Sequence, residues 1–220
     1  MPEVTQYKAM HFNAVNGTYA QGINVAEAKA IVNFLFEFAA SKDVLPSLGV
    51  GTFNIHQRDL VQDLLWETAQ KEGEKAKLLE KMQEAGLFVK NLENIQGDER
   101  DVMVIGTTFG VDEQGKFRQA FGPVNQEKGY RLLNVLITRA KQQIHVFTSI
   151  PEVHYQFFED GLKAQGNTGK SIFYAYLSYV RAVSEGNESR KEYILNHLRE
   201  NQKTSEKRAA STSPAPLFID

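Results

Sequence analysis

A chain of 220 residues, 42% apolar and 24% charged, can bury one large core, so the composition excludes a disordered or fibrous protein. The absence of cysteine excludes disulfides and thiolate metal sites, and the formal net charge of -2 argues against a protein coated in positive charge. The first ten residues resemble no leader peptide, and Asn33 and Glu37 interrupt the apolar run at 31–40. We therefore expect a cytoplasmic protein without a membrane segment.

Short apolar runs alternate with longer segments of helical periodicity from residue 9 onward, as is typical of a parallel α/β sheet. The predicted strands cover residues 8–15, 48–54, 87–93, 101–108 and 144–149. The predicted helices cover residues 24–41 (with Asn24 as a possible N-cap), 55–66 and 128–140, and the charged segment 67–86 continues the second helix or starts another. Residues 109–129 are expected to form a loop or a short hairpin.

The pattern divides the chain into three parts. Residues 1–150 form the predicted α/β domain, residues 151–201 form a helical extension, and residues 202–220 are low in apolar content, which predicts disorder. The five histidines are too scattered to form a ligand pair one helical turn apart, so no metal site is predicted.

The stretch "AQGNTGKS" (164–171) ends like the phosphate-binding loop G-x-x-x-x-G-K-[ST] but has Ala164 in place of the first glycine. A phosphate loop must leave the end of a strand, and the sequence before Ala164 predicts none. The favoured interpretation is a polar turn with an N-cap before a helix, and a self-contained nucleotide hydrolase is the weaker alternative.

Three other segments carry more specific patterns. They are "LGVGTFNIHQRDLVQDLL" (48–65), "KNLENIQGDERDVMVIGTTFG" (90–110) and "RLLNVLITRAKQQIHVFTS" (131–149). In this order they resemble motifs IV, V and VI of superfamily 1 helicases, in the branch that includes the RNA helicase of nonsense-mediated decay. The sequences of these three segments are most similar to those of large bacterial superfamily 1 DNA-helicase-like proteins.

The resemblance implies a second RecA-like motor domain with a P-loop NTPase-type sheet and helices on both faces. Such a domain closes on ATP and Mg²⁺ that are held mainly by a first RecA-like domain, which carries the phosphate loop and the magnesium-binding Asp-Glu. The implied partners are that first domain and single-stranded DNA, with RNA as the alternative. We expect no cofactor in the isolated chain.

The resemblance also implies roles for individual residues at the nucleotide. Arg139 would reach the γ-phosphate and Arg131 would assist it, although the family often has a second arginine where Leu132 stands. Glu99 would contact the ribose or the phosphate network. The competing interpretations are a surface arginine in an ion pair and an acidic turn at 98–101 that pairs within itself.

Four further residues are assigned to the nucleotide side. Gln96 and Gly97 would shape the loop, and Gln57 and Arg58 would face the nucleotide or brace motif VI. Surface polar residues at the start of a helix are the alternative for the last two.

Nucleic acid would cross the tips of the same sheet and be bound through its phosphates. The polar residues at the expected strand ends are Thr52, Asn54, Asn91, Asn94 and Thr108. Three phenylalanines at 53, 109 and 121 could stack on bases or belong to the core. The predicted function is an ATP-dependent helicase motor domain, and the alternative is a non-catalytic RecA-like scaffold or nucleic-acid clamp.

Overall fold

The computed structural model describes residues 9–126, 129–165 and 168–211. A sheet of five strands lies at its centre, in the order β1-β5-β4-β2-β3. The strands are β1 (Met10–Ala14), β2 (Leu48–Thr52), β3 (Phe88–Asn91), β4 (Arg100–Gly110) and β5 (Ala140–Ser149). Neighbouring strands pair in parallel throughout, which confirms the predicted α/β fold with a parallel sheet.

Seven helices are described around this sheet. They are α1 (Val25–Ala40), α2 (Ile55–Lys71), α3 (Gly73–Glu84), α4 (Gly129–Ile137), α5 (Phe158–Gln165), α6 (Gly169–Glu185) and α7 (Glu188–Ser211). Three short 3-10 helices lie at Leu92–Asn94, Gly122–Asn125 and Glu152–Phe157. The predicted helix at 55–66 is thus longer, and the charged segment after it forms the end of α2 and all of α3.

Side-chain caps fix where several helices begin. The Asn24 side chain accepts a hydrogen bond from Glu27 N at the start of α1, which confirms the predicted N-cap. Asn54 does the same for α2, accepting from Gln57 N at 2.8 Å. Both caps satisfy backbone donors that a helix leaves unpaired in its first turn.

Successive side chains of β4 point to opposite faces of the sheet and belong to two separate hydrophobic cores. Val102 and Val104 point to one face of the sheet, whereas Met103 and Ile105 point to the other. Helices α1, α2 and α3 cover the first face, where buried residues such as Ile31, Val61 and Met82 meet the strands. The helices therefore lie on both faces, as predicted.

The second face is covered by α4 and α6. Leu136 of α4 and Leu177 of α6 are buried against Met103 and Ile105 in one apolar cluster. Helix α6, which lies in the predicted extension 151–201, is therefore part of the core beneath the sheet.

Helix α7 runs to Ser211, so the first residues of the segment 202–220, for which we predict disorder, lie in a helix. Residues 212–220 lie outside the described residues. Within the described ranges, no helix is both long enough and apolar enough to cross a membrane.

The packing of α6 predicts a large difference between two phenylalanines. Phe173 is fully buried and packs on Phe53 with ring centroids 4.9 Å apart, so Phe173→Ala should lower the free energy of unfolding by about 3–5 kcal/mol. Phe157 is 46% exposed, and Phe157→Ala should lower it by less than about 1 kcal/mol. Urea unfolding followed by circular dichroism measures both, and equal losses would show that α6 is not part of the core.

Candidate functional site

The predicted site residues lie at two opposite edges of the sheet. Thr52 pairs in register with Asn91 and Gly106, so the carboxyl ends of β2, β3 and β4 lie side by side. We call this the carboxyl edge. The amino edge lies at the start of β4 and β5, where Arg100 pairs with Ala140. The strand from Arg100 to Gly106 spans about 20 Å, which separates the two edges.

Arg139 and Glu99 meet at the amino edge. Arg139 ends the turn after α4, and its backbone carbonyl accepts a hydrogen bond from Arg100 N at 3.0 Å. One guanidinium nitrogen lies 3.8 Å from Glu99 Oε1. The Arg139 side chain is 18% exposed and that of Glu99 is 51% exposed, so the pair lies at the surface and stabilises the fold by at most about 1 kcal/mol.

Two guanidinium nitrogens of Arg139 bind the end of α4 and the turn that follows it. Its Nε donates to Val135 O at 3.0 Å, and another nitrogen donates to Thr138 Oγ1 at 2.9 Å. The side chain is thus folded back along the last turn of α4. To reach a phosphate of a bound nucleotide, the guanidinium must break its weak contact with Glu99 and one or both of these hydrogen bonds.

Most side-chain partners of the acidic turn at 98–101 lie outside the turn, although Arg100 also donates to Glu99 O at 2.8 Å. Asp98 accepts a hydrogen bond from Lys90 Nζ at 2.6 Å, and this bond is the main cause of its lowered pKa. Arg100 donates through Nε to Gly86 O at 2.7 Å, and Asp101 accepts from the Ser47 hydroxyl at 2.6 Å. Glu99 is left facing Arg139.

The loop before Glu99 takes the shape that its glycine allows. Gly97 has φ +91, a left-handed conformation that side chains rarely adopt, and no atom beyond its chain neighbours lies within 4 Å of the position of an added Cβ. Gln96 and Gly97 are exposed at this turn. Arg131 is exposed in the first turn of α4, on the same helix as the residues that bind the Arg139 guanidinium.

Gln57 and Arg58 are not brought to Arg139. Because α2 follows the carboxyl end of β2, its first turn lies at the opposite edge from Arg139. Gln57 is fully buried and bonded to the start of α1, while Arg58 donates to Asp59 Oδ1 at 2.8 Å. In this structure Gln57 fixes the junction of two helices.

Three predicted nucleic-acid residues share the carboxyl edge but are buried. Thr52, Asn91 and Thr108 are no more than 5% exposed, and Thr52 Oγ1 donates to Asn54 O. Asn94 is exposed and donates to Asn91 Oδ1 at 2.7 Å. Asn54 uses its oxygen to cap α2 and its nitrogen to bind Gly22 O.

The phenylalanines at 53, 109 and 121 belong to the core. Each is at most 5% exposed, and Phe109 lies 5.8 Å from Phe53 and 5.1 Å from Phe121 by ring centroids. Tyr19 and Phe117 are partly buried rings that pack on this cluster, Tyr19 on Phe109 and Phe117 on Phe121. Tyr19 lines a pocket of about 300 Å³ together with Lys116 and Arg118.

The sequence analysis missed a buried polar network at the carboxyl edge. Glu27 Oε1 accepts from Thr108 N at 2.7 Å and from Gln57 Nε2 at 3.4 Å. Gln57 in turn binds both backbone groups of Asn24, accepting from N at 2.8 Å and donating to O at 3.0 Å. The other carboxyl oxygen of Glu27 lies 3.3 Å from Thr107 Oγ1. The network joins α1, α2 and β4.

Burial controls the ionisation of Glu27. Desolvation raises its pKa to about 8, and the hydrogen bonds that Thr108, Thr107 and Gln57 can donate to the ionised form only partly oppose this effect. Gly106 makes room for the carboxyl group, since a Cβ there would lie 2.9 Å from Glu27 Oε1.

One signal in the sequence pointed toward Glu27. Asn24 and Glu27 form an N-x-x-E pattern, which is typical of a capping box whose glutamate binds back to the cap residue. Here Gln57 binds Asn24 N instead, and the glutamate turns into the protein.

The stretch 164–171 includes the last two residues of α5 and the first turn of α6, so a helix and not a strand precedes it. Gly166 and Asn167 are outside the described residues, and Thr168 caps α6 by accepting from Ser171 N. The N-cap interpretation is therefore confirmed. Ser171 is 1% exposed and its hydroxyl lies 2.9 Å from that of Thr168, while Lys170 is partly buried. Across the described ranges, no cluster of three or more histidine or acidic residues could hold a metal ion.

Comparisons with known proteins identify the family to which this sheet belongs. A family profile described as an AAA domain matches residues 5–150. An uncharacterised ATP-dependent helicase of Mycoplasma genitalium is 32% identical over 181 residues, and its homologue in Mycoplasma pneumoniae is 30% identical over 180 residues. The alignments cover 79% and 78% of this chain but 15% of each relative.

A solved structure of a plantazolicin methyltransferase, BpumL, aligns over 78% of this chain and 64% of its own, with 10% identity. Its TM-score of 0.30 is too low to indicate a shared fold. The family match covers most of the chain and includes the whole sheet. The chain therefore belongs to the AAA domain family and is similar to ATP-dependent helicases.

Proposed function

We propose that this chain is the second RecA-like motor domain of a superfamily 1 helicase, in the branch related to the RNA helicase of nonsense-mediated decay. The observation that carries the proposal is the meeting of Arg139 and Glu99 at the amino edge, at one end of a sheet whose other end carries the predicted nucleic-acid residues. The similarity to ATP-dependent helicases supports it. A cytoplasmic location is part of the same proposal.

The proposed ATP site is shared with a first RecA-like domain, which binds most of the nucleotide and its Mg²⁺. When the two domains close, Arg139 leaves Glu99 and turns its guanidinium toward the γ-phosphate, where it neutralises charge on the transferring phosphoryl group. Arg131, exposed on the same helix, adds positive charge to the cleft. Glu99, together with the turn at Gln96 and Gly97, faces the ribose or the phosphate network.

The proposed nucleic-acid track follows the carboxyl edge. The buried Thr52, Asn91 and Thr108 shape this edge, and Asn94 with Asn54 and nearby backbone groups faces the phosphates. Tyr19 offers a ring for base stacking, and the pocket that it lines carries two cations, Lys116 and Arg118, together with two anions, Asp112 and Glu113. ATP binding and hydrolysis at one edge would then move contacts on single-stranded DNA, or RNA, at the other.

The alternative is a non-catalytic RecA-like scaffold. The bonds that fold the Arg139 guanidinium onto Val135 and Thr138 favour it, because they give this arginine a structural use. The two functions differ in what the loss of Arg139 does to ATP turnover.

The substitution Arg139→Ala distinguishes the proposed motor function from the scaffold function. In a protein that joins this chain to its first RecA-like domain, we expect the mutation to lower ATP turnover about a thousandfold, as for other arginines that act on transition-state charge. Arg199→Ala, an exposed arginine in α7, is the matched control and should leave turnover unchanged. Steady-state phosphate release measures both, with circular dichroism to verify the fold. Equal turnover in the two variants would refute the motor role.

Asn94→Asp tests the nucleic-acid track. A negative charge at the carboxyl edge should repel phosphates and weaken the binding of single-stranded oligonucleotides about fivefold or more at low salt. Asn33→Asp adds the same charge on an exposed position of α1, distant from the track, and should change affinity by less than about twofold. Fluorescence anisotropy with oligo(dT) and oligo(U) would also distinguish DNA from RNA. If the two substitutions weakened oligonucleotide binding equally, the nucleic-acid track would not follow the carboxyl edge.

The isolated chain should not bind ATP through residues 164–171. The stretch begins in the last turn of α5 with no strand before it, and its serine is buried against Thr168, so it lacks the strand and the free hydroxyl that a phosphate loop needs. Calorimetry with ATP and Mg²⁺ should detect no micromolar binding, for the natural chain or for Lys170→Ala. Micromolar binding that Lys170→Ala abolishes would make this a self-contained nucleotide site.

A further inference from the structure

Thr108 has an unusual backbone conformation at the end of β4. Its φ is +70, in the left-handed region that a β-branched residue rarely adopts. The residue lies where the β4–β5 register shifts between Gly106 and Gly110, as in a β-bulge. Such a conformation persists only when surrounding contacts hold it, and Glu27 Oε1 accepts the Thr108 N–H at 2.7 Å.

The other oxygen of Glu27 begins a chain of hydroxyl groups that leads to β5 and beyond it. Thr107 Oγ1 lies 3.3 Å from Glu27 Oε2 and 2.8 Å from Thr148 Oγ1. Thr148 Oγ1 also accepts a hydrogen bond from Ile150 N at 3.2 Å, and the Tyr155 hydroxyl donates to Ile150 O at 2.9 Å.

Each hydroxyl group carries one hydrogen and can therefore donate only one hydrogen bond, which determines the donor at each step of this chain of hydroxyl groups. Thr107 donates to Thr148 Oγ1, the shorter of its two contacts, so its hydrogen is not available for Glu27. The contact between Thr107 and Glu27 is therefore complete only when Glu27 supplies the hydrogen.

We propose that Glu27 is a positioning residue that acts as a neutral carboxylic acid: its Oε1 holds the Thr108 N–H, and its Oε2 hydrogen is donated to Thr107. Together these bonds fix the carboxyl ends of β4 and β5 in the shape that binds nucleic acid. This last step depends on the function proposed above.

The groups around Glu27 favour the neutral form. Gln57 from α2, Thr107 from β4 and Thr148 from β5 are all uncharged. The titratable neighbour is Tyr155, which follows β5, and burial raises its pKa. Glu27 itself is fully buried, with a pKa raised to about 8. Since this value is above that of the unfolded chain, the contribution of Glu27 to stability is complete below pH 4.5 and is lost as the pH rises through about 8.

Glu27→Gln is the decisive substitution, because a glutamine amide can accept from Thr108 and donate to Thr107 as the neutral acid does, yet cannot ionise. In the full 220-residue chain, the Thr108 amide resonance should titrate with a midpoint near pH 8 in the natural protein and not in Glu27→Gln. Glu27→Ala removes the acceptor and should displace this resonance at every pH. A Thr108 resonance that does not titrate in the natural protein, or that titrates equally in Glu27→Gln, would overturn the proposal.

Binding of oligo(dT) at constant ionic strength gives the second measurement. If only the neutral form keeps the edge in shape, the affinity of the natural chain should fall about tenfold more than that of Glu27→Gln between pH 6 and pH 9. The two should bind equally at pH 6. Identical pH profiles would overturn the positioning role. If the natural chain binds at no pH while Thr108 still titrates, the nucleic-acid function fails and the neutral Glu27 stands.

Discussion

The carboxyl edge depends on the network around one buried glutamate. Glu27 joins the start of α1 to the end of β4, and Gln57 joins the same point to the start of α2. A polar group buried without partners would cost about 1–3 kcal/mol, so each bond in this network constrains its neighbours. Gly106 is part of the same constraint, because a larger residue would occupy the space of the carboxyl group.

The parallel sheet explains why the proposed nucleotide and nucleic-acid contacts lie apart. All five strands run in the same direction, so their amino ends lie at one edge of the sheet and their carboxyl ends at the opposite edge. Residues that precede β4 and β5, such as Glu99 and Arg139, meet at the amino edge, and residues that end β2 and β3 meet at the carboxyl edge. A movement of α4 on closure would therefore be transmitted through strands that are packed on both faces.

Much of this architecture follows from sequence patterns, whereas the orientation of single side chains does not. The alternation of apolar runs predicted the parallel strands, and the resemblance assigned Arg139 and Glu99 to the same nucleotide, two residues that lie 3.8 Å apart in the fold. Gln57 looked like a surface residue or a nucleotide ligand, but the partner that buries it comes from α1, 33 residues away. Glu27 was missed for the same reason, because its partners Thr107 and Thr108 are about 80 positions distant and meet it only in the folded sheet.

The most direct test of the account is a structure of this chain joined to its first RecA-like domain, with a non-hydrolysable ATP analogue and Mg²⁺. The account predicts that the Arg139 guanidinium leaves Glu99 and lies within about 3 Å of a γ-phosphate oxygen. An Arg139 side chain that stays bonded to Val135 and Thr138 in a closed, nucleotide-filled cleft would contradict it.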